Sequence, residues 1–286
     1  MKICHECIPC LVRQSVEVAE LMSNKKELQQ KIIKKTLEQL CDITFNETAP
    51  YLARHIHKYA KQITGNQDPY KELKIKYNKI AEDLCYELDL PKMVTKSDNP
   101  FDTACRLAIA GNIIDFGLGI TLKKQGIYDS IQQSLESEIA CNSIQELHNA
   151  VNKAENILIL CDNSGEIVFD KLLVNQMPKH KITYVVKGAA IVNDATMQDA
   201  IDVGMTDLVK VIHNGAEAQG TILELCSEEF IQTFNSADLI ICKGQANYET
   251  LSDLHDPRIY YLLKAKCQSI ADHLNCQKGA YVIKHF

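Results

Sequence analysis

From residue 157 to residue 283 the chain alternates between two kinds of segment. Apolar, β-branched runs at 157–161, 182–186, 208–212, 238–242, 258–263 and 280–283 are separated by helical patterns at about 165–176, 194–203, 216–235 (with a break), 247–254 and 265–274. Short runs with no polar alternation are what strands buried on both faces look like, and strands that alternate with helices form a parallel sheet covered on both sides. No other feature narrows the fold as much. The expectation is a C-terminal α/β Rossmann-like domain over 151–286.

Residues 1–150 read as an N-terminal all-helical region. Apolar side chains fall at helical spacing over 8–22 (Ile8, Leu11, Val12, Val16, Ala19, Leu21) and 26–41 (Leu28, Ile32, Ile33, Leu37, Leu40). Pro50 and Pro69 sit where a first helical turn tolerates proline, with Asp68 as N-cap and Gly65 as a helix stop. Asn99-Pro100 repeats the cap-plus-proline pattern before a helix expected to run to about Phe116. Ser143-Ile-Gln-Glu146 reads as a capping box, and 116–122 is the one segment before 150 that could be a strand. No Pro/Gly-rich linker marks the boundary near 140–155, so the two parts are expected to pack together.

Length and composition exclude several classes. The chain has 286 residues, enough for one large domain or two small ones, and 46% are hydrophobic, enough for a sizeable core. A net charge of -6 argues against a nucleic-acid surface as the main business. The start MKICHECIPC has no apolar run of a secretory signal, and no stretch is apolar over the 18 or more residues that span a bilayer, so a cytoplasmic protein with no membrane partner is expected. Of the twelve cysteines, Cys41, Cys85, Cys105, Cys141, Cys226, Cys242, Cys267 and Cys276 stand singly in apolar contexts and read as reduced core residues.

In open parallel sheets, ligands bind outside the carboxyl ends of the strands. The residues just beyond the successive runs are Asp162 and Asn163; Lys187 and Gly188, then Asn193 and Asp194; His213, Asn214 and Gly215; Lys243, Gly244, Gln245 and Asn247; and Lys264 and Lys266. Asp, Asn and Gly are also what turns and N-caps require. Lysine is not a turn residue, and several lysines at one edge repel unless an anion sits among them. The turn after the first run has only Gly165, so the glycine-rich cradle of a dinucleotide site is missing, and no P-loop pattern occurs. An aspartyl-phosphate mechanism with a second Asp two residues on meets Ser164 instead. A hard divalent cation fits the residues better: Asp162 and Asn163 offer oxygens at one strand end and Asp194 a third, leaving positions open for water and substrate.

CDNSGE, KGAAIVNDAT, KGQANYETL and LKAKC, in that order, together with IAGNIIDFG at 109–117, resemble the damage-control phosphatase family, formerly domain of unknown function 89 and ARMT-like. The start Cys7-Ile-Pro-Cys10-Leu-Val-Arg-Gln14 resembles its prokaryotic branch with paired N-terminal cysteines. The resemblance covers essentially the whole chain. It implies a phosphatase acting on small phosphorylated metabolites (sugar phosphates or damaged intermediates) and dependent on a divalent metal such as Mn, Ni, Co or Mg. It implies metal ligands at Asp162, Asn163 and Asp194, and substrate contacts from Lys243, Gly244, Gln245, Asn247 and Lys266. In one eukaryotic branch an arginine stands three residues before the last lysine; here that position is Leu263.

Further residues are assigned supporting places. Glu166 is expected to orient a ligand or water, or simply to meet the positive end of a helix dipole. Asn193 accompanies Asp194. Asn112 and Asp115, at i and i+3 on the expected helix, share one face and either cap the site or are ordinary helix hydrogen-bonders. Cys4, Cys7 and Cys10 form a CxxCxxC run around His5, read as buried thiols, a redox pair or a soft-metal site. The alternatives to a phosphatase are a non-catalytic metal or redox protein built on those cysteines, and a methyltransferase, against which the single Gly165 argues. The expected partner is a small phosphorylated metabolite; a homo-oligomer is allowed.

Overall fold

The computed structural model describes residues 1–113 and 124–286. Six helices open the chain: α1 (Cys7–Met22), α2 (Lys26–Cys41), α3 (Ala49–Thr64), α4 (Lys71–Glu87), α5 (Leu90–Lys96) and α6 (Pro100–Ala110). A 3-10 turn, Gly111–Ile113, follows α6, so the helix expected to reach Phe116 ends earlier. Then come α7 (Lys124–Glu136), a two-residue strand β1 (Ile139–Ala140) and α8 (Ile144–Lys153). The remainder alternates as β2 (Ile157–Leu160), α9 (Glu166–Val174), β3 (Ile182–Val186), α10 (Met197–Asp202), β4 (Lys210–His213), α11 (Glu228–Ser236), β5 (Leu239–Lys243), α12 (Gly244–Leu251), β6 (Ile259–Lys264), α13 (Gln268–Leu274) and β7 (Tyr281–His285).

Local chemistry explains several boundaries. Thr48 caps α3 by accepting from the Tyr51 N–H, with Pro50 in the first turn, and Gly65 ends the helix at φ +76°. Asn99 caps α6 by accepting from the Asp102 N–H. Asp68 accepts from the Tyr70 N–H, one turn ahead of α4. The capping box at Ser143 does not form; Asn142 accepts from the Ile144 N–H instead. The segment 116–122 and Asp115 lie outside the described residues.

The seven strands form one sheet in the order β1-β7-β6-β5-β2-β3-β4. It is parallel except between β6 and β7, which run antiparallel. β2 is an inner strand, parallel to β3 on one side and to β5 on the other. The chain winds outward from β2 in one direction and from β5 in the other, so the switch point lies between them, and side chains after β2 and β5 meet there.

Strand periodicity divides the core. Ile157, Ile159 and Cys161 face a cluster with Phe101, Leu107, Ile167, Phe169 and Leu173 from α6 and α9. Leu158 and Leu160 face Phe230, Phe234, Tyr248, Leu251 and Ile270 from α11, α12 and α13. A third cluster joins α1, α2 and α3. The first cluster runs from Tyr77 to Ile283, so the apolar core crosses the expected boundary at 150, and β1 from the helical part pairs with β7. All twelve cysteines are free thiols. The expectation of core burial holds fully for Cys105 and Cys242; Cys41 is exposed and the other five are half-buried. No helix among the described residues is long and apolar enough to cross a membrane.

Candidate active site

The loops after β2 and β3 are stitched together by their backbones. Ala195 N–H donates to Asp162 O at 2.9 Å, Ser164 N–H to Asn193 O at 2.8 Å, and Lys187 N–H to Ala195 O at 2.9 Å. Asn163 and Asp194 thereby form an antiparallel bridge, and two residues 31 positions apart become neighbours. The turn into α9 is held from the helical region. Gly165, at φ +77°, donates its N–H to Asn78 Oδ1 of α4 at 2.6 Å. Ser164 and Asn78 both donate to Asp199 Oδ1 at 3.0 Å, and Asp199 closes a capping box with Thr196 at the start of α10.

Asp162, Asn163 and Asp194 are all buried. Oδ2 of Asp162 accepts from Asn112 Nδ2 at 2.6 Å and from Asn163 Nδ2 at 2.9 Å. Asn112 Nδ2 also reaches Glu166 Oε2 at 2.5 Å, so one amide from the turn after α6 joins both carboxylates. Asn112 thus reaches the two carboxylates after β2 instead of bonding within its own turn. Burial first, and the nearby Glu166 carboxylate second, push the Asp162 carboxyl up to about 6. Burial likewise raises Glu166.

Lys243 has a different place from the one expected. Its Nζ is fully buried and donates to Glu166 Oε1 at 2.5 Å, Asp170 Oδ1 at 2.6 Å and Ala108 O at 3.0 Å. An ammonium has three hydrogens, and here all are spent on the protein. In this structure Lys243 is thus an internal counter-ion, where a phosphate contact was expected. Burial works against its charge, but Asp170 and Glu166 outweigh that and hold the ammonium above its ordinary pKa. Asp170 passes the network on, accepting from the buried Tyr184 hydroxyl at 2.6 Å.

Asn247 is also occupied. Its amide donates to Lys243 O at 2.7 Å and Cys161 O at 3.1 Å, and its Oδ1 accepts from Thr221 Oγ1 at 2.8 Å, so it locks the end of β5 to the end of β2 instead of facing a substrate. Gln245 accepts from the Lys266 N–H at 3.1 Å, which holds the start of the last loop in place. Of the two lysines expected to meet phosphate, Lys266 is the half-buried one, and its charge acts on both Asp162 and Glu166. Gly244, at φ +77°, lies against the Asp162 side chain.

Asp170 and Tyr184 were not among the expected site residues, and Lys187 was expected at this edge but given no role. Lys187 is buried beside Asp194, with Nζ 3.4 Å from Asp194 Oδ2 and 2.6 Å from Gly220 O. The signal for Asp170 lay in EIVFD: two acids at i and i+4 in an otherwise apolar helix face the same way and are buried together.

The donor set fits a hard divalent cation. Four buried carboxylates (Asp162, Glu166, Asp170, Asp194) stand against two buried ammoniums (Lys187, Lys243), an excess of two negative charges in a place water does not screen. Asn112 Oδ1 is a buried acceptor with no hydrogen-bond partner among the described residues. No group of three or more His, Cys, Asp or Glu among the described residues is arranged to hold a metal ion, the CxxCxxC run with His5 included; the Asp162–Asn163–Asp194 set has an amide as its third member.

Together these features define a doubly wound α/β protein with an acid-amide site at its topological switch point, roofed by helices from its own N-terminal region. The sequence profile of the damage-control phosphatase ARMT1-like domain matches residues 3–282, and the chain belongs to that family. It is 39% identical to an uncharacterised protein of Methanocaldococcus jannaschii, over 99% of this chain and 95% of that one. It is 35% identical to a damage-control phosphatase of Pyrococcus horikoshii, over 99% and 97%. The crystal structure of a DUF89 family protein from Pyrococcus horikoshii superposes with a TM-score of 0.88 at 32% identity, covering 100% of this chain and 99% of that one.

Proposed function

We propose that this protein is a metal-dependent phosphatase that hydrolyses phosphate monoesters of small metabolites, sugar phosphates or damaged phosphometabolites among them. A divalent cation (Mn, Ni, Co or Mg) is held by Asp162, Asn163 and Asp194. The observation that carries this reading is the backbone bridge that makes Asn163 and Asp194 neighbours, beside an Asp162 carboxylate that accepts from Asn163, inside a frame with two excess buried negative charges. Relatives at 35% and 31% identity are named damage-control phosphatases, which points to the same chemistry.

The cation would supply Lewis acidity toward a phosphoryl oxygen and make water more acidic. The residues do the rest. Asn112 and Asn163 fix the plane of the Asp162 carboxylate by donating to its Oδ2. Lys187 offsets the charge of Asp194. Glu166, Lys243 and Asp170 form a rigid internal salt network beneath them. Lys266 offers a cation to the phosphate oxygens and to the negative charge that grows on them as the ester bond breaks. In the net reaction water oxygen joins phosphorus, and the alcohol leaves with a proton. A methyltransferase reading is disfavoured by the turn after β2, where the one glycine, Gly165, makes no glycine-rich cradle for a nucleotide cofactor.

The test is phosphate release from p-nitrophenyl phosphate and a panel of sugar phosphates by the EDTA-treated full chain, with each metal added back. Activity should return with metal and be lost in Asp162→Ala and in Asp194→Ala, with circular dichroism unchanged. Hydrolysis insensitive to EDTA, none with any metal, or full activity of either variant at limiting metal would refute the assignment.

A further inference from the structure

The phosphatase reading makes no use of the N-terminal cysteines, yet the structure arranges two of them with care. Sγ of Cys4 and Sγ of Cys7 are 3.8 Å apart. Cys7 N–H donates to Cys4 O at 3.0 Å, the hydrogen bond of a four-residue turn, which keeps the two Cα atoms within about 7 Å. That is close to the range a disulfide spans, about 4.4–6.8 Å. The Cys4 N–H points back at Cys7 Sγ at 3.5 Å.

The two thiols are unlike. Cys4 opens onto a cleft of about 330 Å³ lined by Met1, Lys2, Glu6, Ser269, Asp272 and His273. Ser269 Oγ lies 3.0 Å from Cys4 Sγ and 3.1 Å from Glu6 Oε2. Its single hydrogen goes to Glu6 while Cys4 is a thiol and can turn to sulfur when Cys4 is a thiolate. Burial opposes ionisation of Cys4, but hydrogen bonds from Ser269 and from the backbone at Glu6 and Cys7 outweigh it and hold the thiol below its ordinary value. Cys7 is pushed up to about 12, by burial first and then by its neighbour Cys4. Both are half-buried, but only Cys4 lines the cleft, and a sulfur there that ionises more readily than usual beside one that ionises less readily is the asymmetry of a working CxxC couple.

We propose that Cys4 and Cys7 are a dithiol–disulfide couple that exchanges with a small-molecule disulfide received in the cleft beside Cys4. The Cys4 thiolate attacks one sulfur of the small disulfide, a Cys4–S–S bond forms, and one small thiolate leaves. Cys7 sulfur then attacks Cys4 sulfur, the intramolecular bond forms, and the second small thiolate leaves. Two electrons pass from the protein thiols to the small disulfide, and the two thiol protons end on the departing thiols. The cleft carries Lys2 of one sign and Glu6 and Asp272 of the other, which suits a peptide-like disulfide bearing carboxylate and ammonium groups. Cys10, three residues further on and exposed, takes no part.

The experiment uses the reduced full chain in buffers of graded oxidised-to-reduced glutathione ratio. The reaction is acid-quenched, free thiols are alkylated, and the tryptic segment Ile3–Arg13 is read by mass spectrometry. The expected product carries one alkyl group, on Cys10, and is two hydrogen atoms lighter than a singly alkylated segment without the disulfide, whereas the fully reduced segment carries three. Cys7→Ser should stop at a glutathione mixed disulfide on Cys4. Cys4→Ser should slow the first exchange at least about tenfold, and Cys10→Ser should leave the couple intact. A bond to Cys10 or Cys267 instead, glutathione on Cys7 of Cys4→Ser as fast as the unaltered chain reacts, or a segment reduced at every ratio would overturn the proposal. Mapping of the unaltered chain needs no variant, so a variant that misfolds does not shelter it.

Discussion

Gly244 and Asp162 are in contact across the switch point of the sheet: a Cβ on Gly244 would come within 2.8 Å of Asp162 Cβ and closer still to its carboxylate. The glycine also sits at φ +77°, where a side chain is strained. Gly244→Ala should therefore carry a backbone penalty of about 1–2 kcal/mol and also displace Asp162. A misplacement of about 1 Å in a catalytic group can cost about 10²-fold in rate, and a fall of that order is expected here. Gly65 is the control, because it has φ +76° with nothing near the added Cβ. Gly65→Ala should lose similar stability and keep its activity. Equal activities of the two variants in a phosphate-release assay would contradict the contact argument.

Lys243 is expected to matter for folding before it matters for substrate. Lys243→Met leaves Glu166 and Asp170 buried without their counter-ion. Breaking a buried pair in this way costs about 3–5 kcal/mol, read as a large fall in urea midpoint. Adding Asp170→Asn should recover part of that loss. A Lys243→Met chain of normal stability and raised KM would instead make this lysine a phosphate contact.

The sequence carried the sheet more fully than the site. β2, β3 and β5 were readable because both their faces are buried and, apart from Thr183 and Tyr184 in β3, every residue is apolar until the strand ends. Asp162 and Asn163 followed from their position at such an end. The direction of β7 did not, since side-chain periodicity is the same for a strand running either way. Nor could the pattern tell that Lys243 points inward: a lysine after a strand looks alike whether it meets solvent or two buried acids. The proximity of Asp194 to Asn163 depends on backbone hydrogen bonds between two loops, for which neither loop carries a side-chain signal.

Removing divalent metal should lower stability in a way that depends on Asp194. A cation that binds only the folded chain stabilises it by about 2.7 kcal/mol at a hundred times its Kd. It would also offset the two excess buried negative charges. Thermal unfolding in EDTA and in manganese should differ by several degrees for the unaltered chain, and by little for Asp194→Asn. The same manganese shift in both would place the cation elsewhere.

His57 supplies a pH dependence that is independent of the site. It is buried in α3 and its Nε2 has no hydrogen-bond partner among the described residues. Burial first, and the Lys61 ammonium one turn on second, push the imidazole down to about 3. The unfolded chain takes up this proton near pH 6.5 and the folded chain only near 3. The group's contribution to stability is therefore complete above about pH 6.5 and lost as pH falls from there toward 3. By pH 5 the loss amounts to about 2 kcal/mol. His57→Phe removes the titration, so between pH 7 and pH 5 the variant's urea midpoint should rise relative to that of the unaltered chain, whatever their offset at neutral pH. A constant offset across that range would mean that His57 takes up its proton without leaving the folded state.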